Sequence, residues 1–287
     1  MYYSPILFSE IADLNLTQYH DCSINMEYLN SKDRIIIFCV QDHYLNHLFS
    51  FLDKVEKPFI LISAMEDQEF PAEVDTNLIT KIKSSPYFKH WFSVNKTIPN
   101  DSEFTSIPYG LDYWTVSTRQ YFGENVQDFK TQNLVLENIA NNSLPFYQRI
   151  PKIFSNFNLH FTDTRYGGWR RKLIDIIPKE IIDYQQNYLV RSESYKYMSK
   201  YSFVVSPFGH GYDCIRTFEA LCLGCIVIMK KSFLDIIYED LPVLLVDEWT
   251  DINETLLNET LELYKNKKFN YDKLKIDYWI ELVNSKF

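Results

Sequence analysis

Glycine is scarce in this chain: 7 of its 287 residues are glycine, about a third of the usual frequency of roughly 7%. That shortage excludes collagen-like and glycine-rich linker sequences, and a hydrophobic content of 46% excludes a disordered chain. Most of the glycines lie after residue 160, at Gly167, Gly168, Gly209, Gly211 and Gly224. Because glycine permits the closest approach of backbone to a ligand, the sequence predicts ligand-contacting loops in the second half.

Cysteine is also sparse, and long apolar runs are absent. The chain has 5 cysteines, an odd number that favours reduced thiols over a disulfide framework. No apolar run reaches the roughly 18 residues of a membrane-spanning helix, and the start MYYSPILFSE lacks the pattern of a secretory leader. We therefore expect a soluble, cytoplasmic protein without an integral membrane segment.

Positive charge is in deficit. The chain has 29 Lys and Arg against 38 Asp and Glu, a net charge of −9. Nucleic-acid binding requires a broad basic surface, so this balance argues against a nucleic-acid partner. Local basic clusters that bind a small anion remain compatible with it.

The order of apolar segments predicts an α/β fold made of two Rossmann-like domains, with parallel sheets that face a central cleft. In the first half, buried-strand patterns alternate with helical periodicity: strands at 34–41, 58–64, 90–95 and 104–114, and helices at 43–56 and 77–83. The second half repeats the pattern, with strands at 153–162, 201–207, 225–230 and 243–246 and helices at 169–177, 192–200 and 214–224.

A proline-containing, non-periodic stretch near residues 141–152 predicts the boundary between the two domains. We expect a first domain at 1–147, a second domain at 148–270, and a C-terminal helix at 271–287 that packs back on the first domain. In such open sheets, ligands lie beyond the carboxyl ends of the strands.

The most informative segment begins where the strand 201–207 ends. Ser206 closes that strand, and Gly209, His210 and Gly211 form a loop in which backbone amides can approach a ligand. Asp213 is placed to cap the helix that follows. A loop of this kind before a helix N-terminus is typical of an anion-binding site.

Arg216 and Glu219 lie three residues apart on that helix and therefore on neighbouring turns. Arg216 would meet a diphosphate, and Glu219 would accept hydrogen bonds from a ribose diol. The alternative is an exposed ion pair within the helix. The combination of strand, glycine loop, helix and early return strand favours the nucleotide-diphosphate site.

The run SPFGHGYDCIRTFEALCLGCIVIMKKSFLDIIYEDLPVLLVDEW resembles the donor-binding segment of exostosin-like GT-B glycosyltransferases. It is similar in particular to the soluble group from large algal and amoebal viruses and to their xylosyltransferase relatives. In the first half, PFILISAMEDQEFP, PYFKHWFSVN and IPYGLD resemble the acceptor domain of that family in the same order.

The resemblance implies transfer of a sugar from a UDP-sugar to a hydroxyl of a glycan acceptor. It implies that the domain at 1–147 binds the acceptor and that the domain at 148–270 binds the nucleotide-sugar donor. It implies an inverting, metal-independent enzyme that requires no cofactor, with UDP-xylose as the favoured donor. If the chain is viral, the host cytoplasm is the expected compartment.

By the same resemblance, Arg216 holds the pyrophosphate and Glu219 the ribose. Other donor-binding candidates surround them in the second half: Arg165, Arg170, Arg171 and Asp235, with Lys230 and Lys231 adding positive charge. Fixed cations would neutralise the departing UDP where other glycosyltransferases use a metal.

Inverting transfer requires a general base on an acceptor-domain loop. Asp67 follows the second predicted strand and matches the acidic position of the family, so it is the preferred base. Asp42 and His43, after the first strand, are the alternates, followed by Asp112.

Three alternatives stay open at this stage. The pairs Asp67–Glu69 and Asp101–Glu103 approximate the motif of a manganese-dependent GT-A transferase. Cys222 and Cys225 have the spacing of a zinc or redox pair, although packed thiols fit their apolar surroundings better. A non-catalytic nucleotide- or carbohydrate-binding protein on the same scaffold, or a nucleotide-sugar epimerase, would share the donor site.

Overall fold

The computed structural model describes the chain except for residues 18–23, 41–44, 46, 49 and 160–167 and the side chains of residues 168 and 169. The candidates Asp42, His43 and Arg165 therefore lie outside the described residues. The chain divides into two compact units. The first-sheet unit contains Pro5–Tyr109 and Ile276–Phe287, and the second-sheet unit contains Met1–Ser4 and Gly110–Lys275.

This grouping places residues 110–147 with the second sheet and the C-terminal helix with the first. Inside the first-sheet unit, Arg34 Nη2 donates to Asn284 Oδ1 at 3.1 Å, and its guanidinium lies 4.7 Å from the centre of the Phe287 ring. The domain ranges 1–147, 148–270 and 271–287 themselves stay a prediction.

The first sheet has five parallel strands in the order β1-β2-β3-β4-β5: β1 (Leu14–Leu16), β2 (Ile35–Val40), β3 (Phe59–Ala64), β4 (Phe88–Ser93) and β5 (Phe104–Ser106). Every residue of β3, and all but the last of β2, is buried. Such continuously apolar runs are expected where both faces of a parallel sheet are covered. The order follows the chain without a reversal.

The helices of the first-sheet unit are α1 (Met26–Asn30), α2 (Thr76–Ser84) and α10 (Ile276–Asn284), with helical residues also between 45 and 51. Asp75 caps α2 by accepting a hydrogen bond from Asn77 N at 2.8 Å. Leu78 and Ile82 of α2 are buried in the same hydrophobic core as the strands, as expected for an amphipathic helix that covers a sheet.

The second sheet is also parallel and has the order β10-β9-β8-β6-β7: β6 (Ile150–Ser155), β7 (Ile182–Tyr184), β8 (Tyr201–Val205), β9 (Ile226–Lys230) and β10 (Val243–Val246). The chain moves outward from β6 to β7, then crosses back to the other side of β6 and continues through β8, β9 and β10. The order therefore reverses between β6 and β8.

The helices of the second-sheet unit are α3 (Trp114–Thr118), α4 (Phe129–Asn141), α5 (Gly168–Ile176), α6 (Arg191–Met198), α7 (Ile215–Cys222), α8 (Asp235–Tyr238) and α9 (Glu254–Lys265). On α7, Phe218 and Cys222 are buried as predicted, whereas Ile215 at its first position is partly exposed. Gly224 ends the turn after α7 with a φ of 74°, a conformation that favours glycine.

Two parallel five-stranded sheets with helices confirm the predicted α/β class. The short strands β1 and β7 and the helices α4 and α9 were not anticipated from the sequence pattern. Among the described residues, no helix is long and apolar enough to cross a membrane.

Candidate functional site

The reversal of strand order places a crevice at the carboxyl ends of β6 and β8. In open α/β sheets, ligands bind at such a switch point because the connections leave the two strands in opposite directions. Asn156 and Phe157 follow β6, and Ser206 and Phe208 follow β8. The predicted donor-binding segment therefore begins at this crevice, inside the second-sheet unit.

Arg216 is the second residue of α7 and is partly buried at this crevice. Its Nε donates to Asn156 Oδ1 at 3.2 Å. Burial lowers the pKa of Arg216, and the positive charge of Arg170 acts in the same direction. Within the part of the chain that the structure describes, no carboxylate forms an ion pair with Arg216. A guanidinium so placed retains N–H donors for an anion.

Arg170 on α5 supplies a second guanidinium, and its residue is only 9% exposed. Its Nε donates to Phe208 O at 3.1 Å. The guanidinium carbons of Arg170 and Arg216 lie 6.0 and 5.8 Å from the centre of the Phe157 ring. Both guanidinium groups therefore lie within the distance of a cation–π interaction with the same ring. Arg171, the next residue, is exposed.

The glycine loop passes close to Arg170. A Cβ atom added at Gly209 would lie 3.1 Å from Arg170 Nη2 and 3.0 Å from Cys214 Sγ. Gly209 N donates to Gly211 O at 3.0 Å, which closes the loop, and His210 is exposed at its tip. A side chain at 209 would therefore require Cys214 or Arg170 to shift, so the close approach of these two side chains favours glycine there.

The ends of this loop differ in part from the prediction. Ser206 is buried, and its hydroxyl lies 2.9 Å from the Thr217 hydroxyl on α7. The predicted cap at Asp213 is wrong by one residue, because Cys214 is the N-cap of α7. Asp213 is buried and accepts a hydrogen bond from Cys214 N at 2.8 Å, so it orders the turn before the helix.

Glu219 forms its ion pair with a residue that sequence analysis did not single out. Glu219 Oε1 lies 3.2 Å from Arg191 Nε and accepts a hydrogen bond from the Tyr195 hydroxyl at 2.7 Å. Glu219 therefore pairs across to α6, and the alternative of an ion pair with Arg216 within α7 is not formed among the described residues. Its second oxygen, Oε2, has no hydrogen-bond partner in that same part of the chain.

Arg191 is held by several neighbours in addition to Glu219. Its Nη1 donates to Asp112 O at 2.8 Å and to Gln132 Oε1 at 3.3 Å. Its Nη2 is buried without a partner among the described residues. Arg191 also lines a cavity of about 30 Å³ together with Gln132 and Tyr195, which is close to the volume of one water molecule.

Ser155, the last residue of β6, adds another buried polar atom at the switch point. Its hydroxyl oxygen has no hydrogen-bond partner within the described ranges. Asn156, the next residue, donates from Nδ2 to Ser194 Oγ at 2.6 Å, which orients its Oδ1 toward Arg216. Buried polar groups are normally satisfied, so an unpaired hydroxyl at a strand end indicates a place for a ligand or a water.

Three further candidates for the donor site, Lys230, Lys231 and Asp235, have hydrogen-bond or ion-pair partners within the protein. Lys230 Nζ lies 2.8 Å from Glu248 Oε2, and Lys231 Nζ lies 2.9 Å from Asp247 Oδ1. Asp235 begins α8 and accepts a hydrogen bond from Ser232 N at 2.9 Å. Burial raises the pKa of Asp235. The three side chains therefore have partners in the turns that follow β9 and β10.

The candidate bases lie in both units. Asp67 is partly buried in the loop after β3, in the first-sheet unit. In that loop, Glu66 O accepts a hydrogen bond from Asn95 Nδ2 at 3.2 Å. Asp112 lies in the second-sheet unit, where its Oδ1 accepts from Thr115 N at 2.9 Å in the first turn of α3.

The other sequence motifs have local partners. Asp101 Oδ1 accepts from Glu103 N at 2.8 Å and from Phe104 N at 2.7 Å, which is the pattern of an Asx turn. Cys222 and Cys225 are buried, and burial raises the pKa of both thiols. Across the described ranges, no group of three or more His, Cys, Asp or Glu side chains could hold a metal ion.

Sequence reasoning missed Asn156, Ser194, Arg191 and Tyr195. Asn156 was missed because the strand predicted at 153–162 includes it, whereas β6 ends at Ser155, so that Asn156 directly follows the strand at the switch point. Arg191 had no comparable signal, since its contacts are to residues 28 positions later at Glu219 and 59 positions earlier at Gln132.

No family model and no curated protein matches the chain. Several solved structures have weak similarity to it, among them the following two. The apo structure of OtsA has a TM-score of 0.39 and 10% identity, over 84% of this chain and 67% of that one. A structure described as trehalose-6-phosphate from E. coli bound with UDP-2-fluoro glucose has a TM-score of 0.37 and 9% identity, over 91% and 72%. At scores this low, neither similarity carries weight for function.

Proposed function

We propose that this protein is a GT-B glycosyltransferase that takes a sugar from a UDP-sugar. The observation that carries the proposal is Arg216: a partly buried guanidinium at the switch point, next to Arg170 and without a carboxylate partner among the described residues. Keeping two cations close together costs electrostatic energy, which a bound diphosphate would recover. The sequence resemblance to exostosin-like enzymes gives that diphosphate its identity as part of UDP.

In this proposal, Arg216 and Arg170 contact the diphosphate, and backbone amides of the loop Ser206–Asp213 complete its surroundings. The unpaired Ser155 hydroxyl is available for the same ligand. Arg171 is exposed on α5, so we leave it out of the site. We assign no donor contact to Lys230 and Lys231 because their ammonium groups form ion pairs.

Glu219 is proposed to accept hydrogen bonds from the ribose hydroxyls through Oε2. Its Oε1 is already bound by Arg191 and Tyr195, which fixes the plane of the carboxylate. Arg191 would then be a positioning residue for the ribose contact. The cost of burying this arginine is met by an ion pair and by hydrogen bonds to neutral oxygens.

The proposed reaction is inverting and metal-independent, with xylose as the favoured sugar. Asp67 would take the proton from the acceptor hydroxyl, whose oxygen attacks the anomeric carbon of the sugar. The bond between that carbon and the β-phosphate oxygen breaks, and the electron pair leaves with UDP. Arg216 and Arg170 would stabilise the negative charge that develops on the leaving group, as fixed dipoles and charges do in other enzymes.

The first test is UDP binding, measured by isothermal titration calorimetry on the full chain. We expect Arg216→Ala to weaken UDP binding by about 100-fold, because a charge-assisted contact to phosphate is lost. Arg171→Ala, which removes the same charge from an exposed neighbour of Arg170, is the matched control and should leave UDP affinity unchanged. Equal UDP affinity of the wild type and Arg216→Ala would show that the donor site lies elsewhere.

The second test is turnover with a panel of UDP-sugars, measured as released UDP. We expect UDP-xylose to be the best donor and Asp67→Asn to lose transfer while UDP affinity is retained. Full activity of Asp67→Asn would move the base to Asp42, His43 or Asp112. Tight UDP binding without turnover of any UDP-sugar would instead favour a non-catalytic binding protein.

A further inference from the structure

A second cavity lies in the second-sheet unit, with a volume of about 650 Å³. It is within the range of about 300 to 1,000 Å³ that small-molecule sites occupy. We call it the basic groove because four cations line it: Arg149, Lys265, Lys267 and Lys268. Tyr147 and Tyr271 also line it.

The basic groove lies at the amino ends of the strands. Arg149 directly precedes β6, and Gly224, which also lines the groove, comes two residues before β9. The diphosphate site follows the carboxyl ends of β6 and β8. The two sites are therefore at opposite ends of the same sheet, and a ligand in one does not fill the other.

Arg149 is a fixed cation in the groove. Its Nε donates to Leu144 O at 2.6 Å, its Nη2 to Leu223 O at 2.9 Å, and its Nη1 to Cys225 Sγ at 3.3 Å. All three acceptors are neutral, so the positive charge of Arg149 is not compensated by them. A guanidinium has five N–H donors, which leaves two for a ligand.

Three lysines in four residues add to this charge. Lys265, Lys267 and Lys268 are exposed, and none has a carboxylate partner among the described residues. Five other lysines of the unit do pair with acids: Lys152 with Asp183, Lys196 with Glu193, Lys230 with Glu248, Lys231 with Asp247 and Lys275 with Glu137. In a chain with a net charge of −9, the groove concentrates unpaired positive charge.

Aromatic rings alternate with these cations. Tyr147 and Tyr271 are 41% and 44% exposed, and Tyr264 and Phe269 also line the groove. Lys265 Nζ lies 5.9 Å from the centre of the Tyr147 ring, and Lys267 Nζ lies 5.3 Å from the Phe269 ring. Exposed rings offer flat apolar faces to the C–H faces of a sugar, and amphipathic tyrosines are common at recognition surfaces.

We propose that the basic groove binds an acidic oligosaccharide, whose carboxylate or other anionic groups meet Arg149 and the lysines while its rings stack on Tyr147 and Tyr271. The choice of a glycan rests on the proposed function, because a glycosyltransferase meets a growing chain that extends beyond the reacting sugar. The groove would hold that chain at a second point and raise its effective concentration at the enzyme.

The net charge of the protein favours a short acidic glycan over single-stranded nucleic acid as the ligand of the basic groove. Single-stranded nucleic acid also uses stacking rings and cations, but along a groove that follows a long backbone. Here the positive charge is confined to one short groove on a chain of net charge −9. A long, dense polyanion would be repelled by the remaining surface, whereas a short glycan with spaced charges would not.

The test uses trigalacturonate as the acidic probe, maltotriose as the neutral probe of equal length and a six-nucleotide oligothymidylate as the nucleic-acid probe. Binding of each to the full chain is measured by isothermal titration calorimetry at low salt. We expect trigalacturonate to bind and maltotriose to bind at least about tenfold more weakly. The triple variant Lys265→Gln/Lys267→Gln/Lys268→Gln should lose about tenfold or more in trigalacturonate affinity.

The matched control is Lys130→Gln/Lys179→Gln/Lys200→Gln, which changes the net charge equally at exposed lysines outside the groove. It should bind trigalacturonate as the wild type does. Equal loss in both triple variants, no binding of trigalacturonate to the wild type, or tighter binding of the oligothymidylate would each overturn the proposal.

Two readouts separate this proposal from the proposed function. The groove variant should retain wild-type UDP affinity, and Arg216→Ala should retain wild-type trigalacturonate affinity. A wild type that binds trigalacturonate through the lysines but not UDP would contradict the proposed transferase and leave the groove intact. Tyr147→Ala gives a charge-neutral check: it should weaken both trigalacturonate and maltotriose if the ring stacks on sugar.

Discussion

Two cations, a buried one beside the first sheet and a partly buried one beside the second, differ in how many of their donors have partners. Lys96, in the first-sheet unit, is fully buried, and its ammonium donates to Ile98 O at 2.7 Å, to Pro99 O and to Asn100 Oδ1 at 3.2 Å. An ammonium has three donors, so Lys96 is saturated by its own loop. Burial lowers the pKa of Lys96 to about 8.

Arg216, in the second-sheet unit, uses one N–H of its guanidinium, in the bond to Asn156. Its other donors have no partner among the described residues. The contrast separates a cation whose donors are all used within its own loop from a cation whose unused donors we propose to bind a ligand. Burial alone does not make this distinction, because it lowers the pKa of both groups. The number of N–H donors without a partner distinguishes the two cations.

The largest expected effect is on the stability of the protein, in a variant that removes the ammonium of Lys96. Lys96→Met keeps most of the side-chain volume but leaves three oxygens without their donor, so we expect a loss of about 3 to 5 kcal/mol in the free energy of unfolding. Urea denaturation measures it. UDP affinity should not change in this variant once it is folded.

Lys89→Met is the control, because Lys89 is exposed on β4 of the same unit. Its unfolding midpoint should stay near that of the wild type. A Lys96→Met chain as stable as the wild type would mean that the saturated cation does not hold its loop, and the comparison with Arg216 would fail.

A second effect concerns His90, another internally satisfied group of the first-sheet unit. His90 is buried; its Nδ1 lies 3.0 Å from Ser102 O and its Nε2 lies 2.8 Å from Thr105 Oγ1. Burial lowers the pKa of His90 from 6.5 to about 4. Between these values the unfolded chain binds the proton and the folded chain does not, so stability falls as the pH drops from 6.5 toward 4.

At pH 5 we expect this histidine to cost about 2 kcal/mol of stability relative to pH 7.5. Urea denaturation at the two pH values measures the difference. His90→Asn retains a donor and an acceptor without the titration, and its stability should depend less on pH in this range. An unchanged pH dependence in the variant would assign the effect to another group.

The smallest expected effect is on the ratio of two ligand affinities. It concerns Arg191, which lies in the second-sheet unit like Arg216 and whose Nη2 has no partner among the described residues. If Arg191 and Tyr195 orient Glu219 for the ribose, the wild type should bind UDP about tenfold more tightly than 2′-deoxy-UDP, or about 1.4 kcal/mol. Arg191→Gln should reduce that ratio toward one. Calorimetric titration with both ligands measures it.

The ratio is a property of the ribose contact, so a general loosening of the fold would lower both affinities and leave it unchanged. Tyr195→Phe removes a single hydrogen bond to Glu219 and should reduce the ratio less than Arg191→Gln does. Full discrimination in both variants would show that Glu219 does not require them.

Sequence patterns predicted the longer elements well. The buried runs at Ile35–Val40, Phe59–Ala64 and Ile226–Lys230 are strands, and α7 ends within two residues of its predicted end. Elements of three residues, β1 and β7, were not predicted because so short a segment has no measurable periodicity. The helix α4 was not predicted, because the prolines that follow it indicate a domain boundary in this part of the chain.

The residues of the candidate site likewise divide into those that sequence patterns could predict and those that they could not. Arg216 and the glycine loop could be predicted because they lie in one strand-loop-helix segment, and Arg170 because it lies in the segment that follows the first predicted strand of the second half. The partner of Glu219 could not. Local spacing favoured Arg216, three residues away, whereas the fold brings Arg191 from α6 to within 3.2 Å of the carboxylate. A short sequence separation makes contact possible on a helix but does not decide it.

By itself, the sequence determined the α/β class, the positions of the main strands and the position of the glycine loop that passes close to Arg170. These follow from short-range patterns: apolar runs, helical spacing and the placement of a few glycines. Only the tertiary structure decided the strand order, and with it the switch point between β6 and β8. It also decided which buried cations are saturated, because that depends on oxygens brought close by packing, which no spacing in the chain encodes.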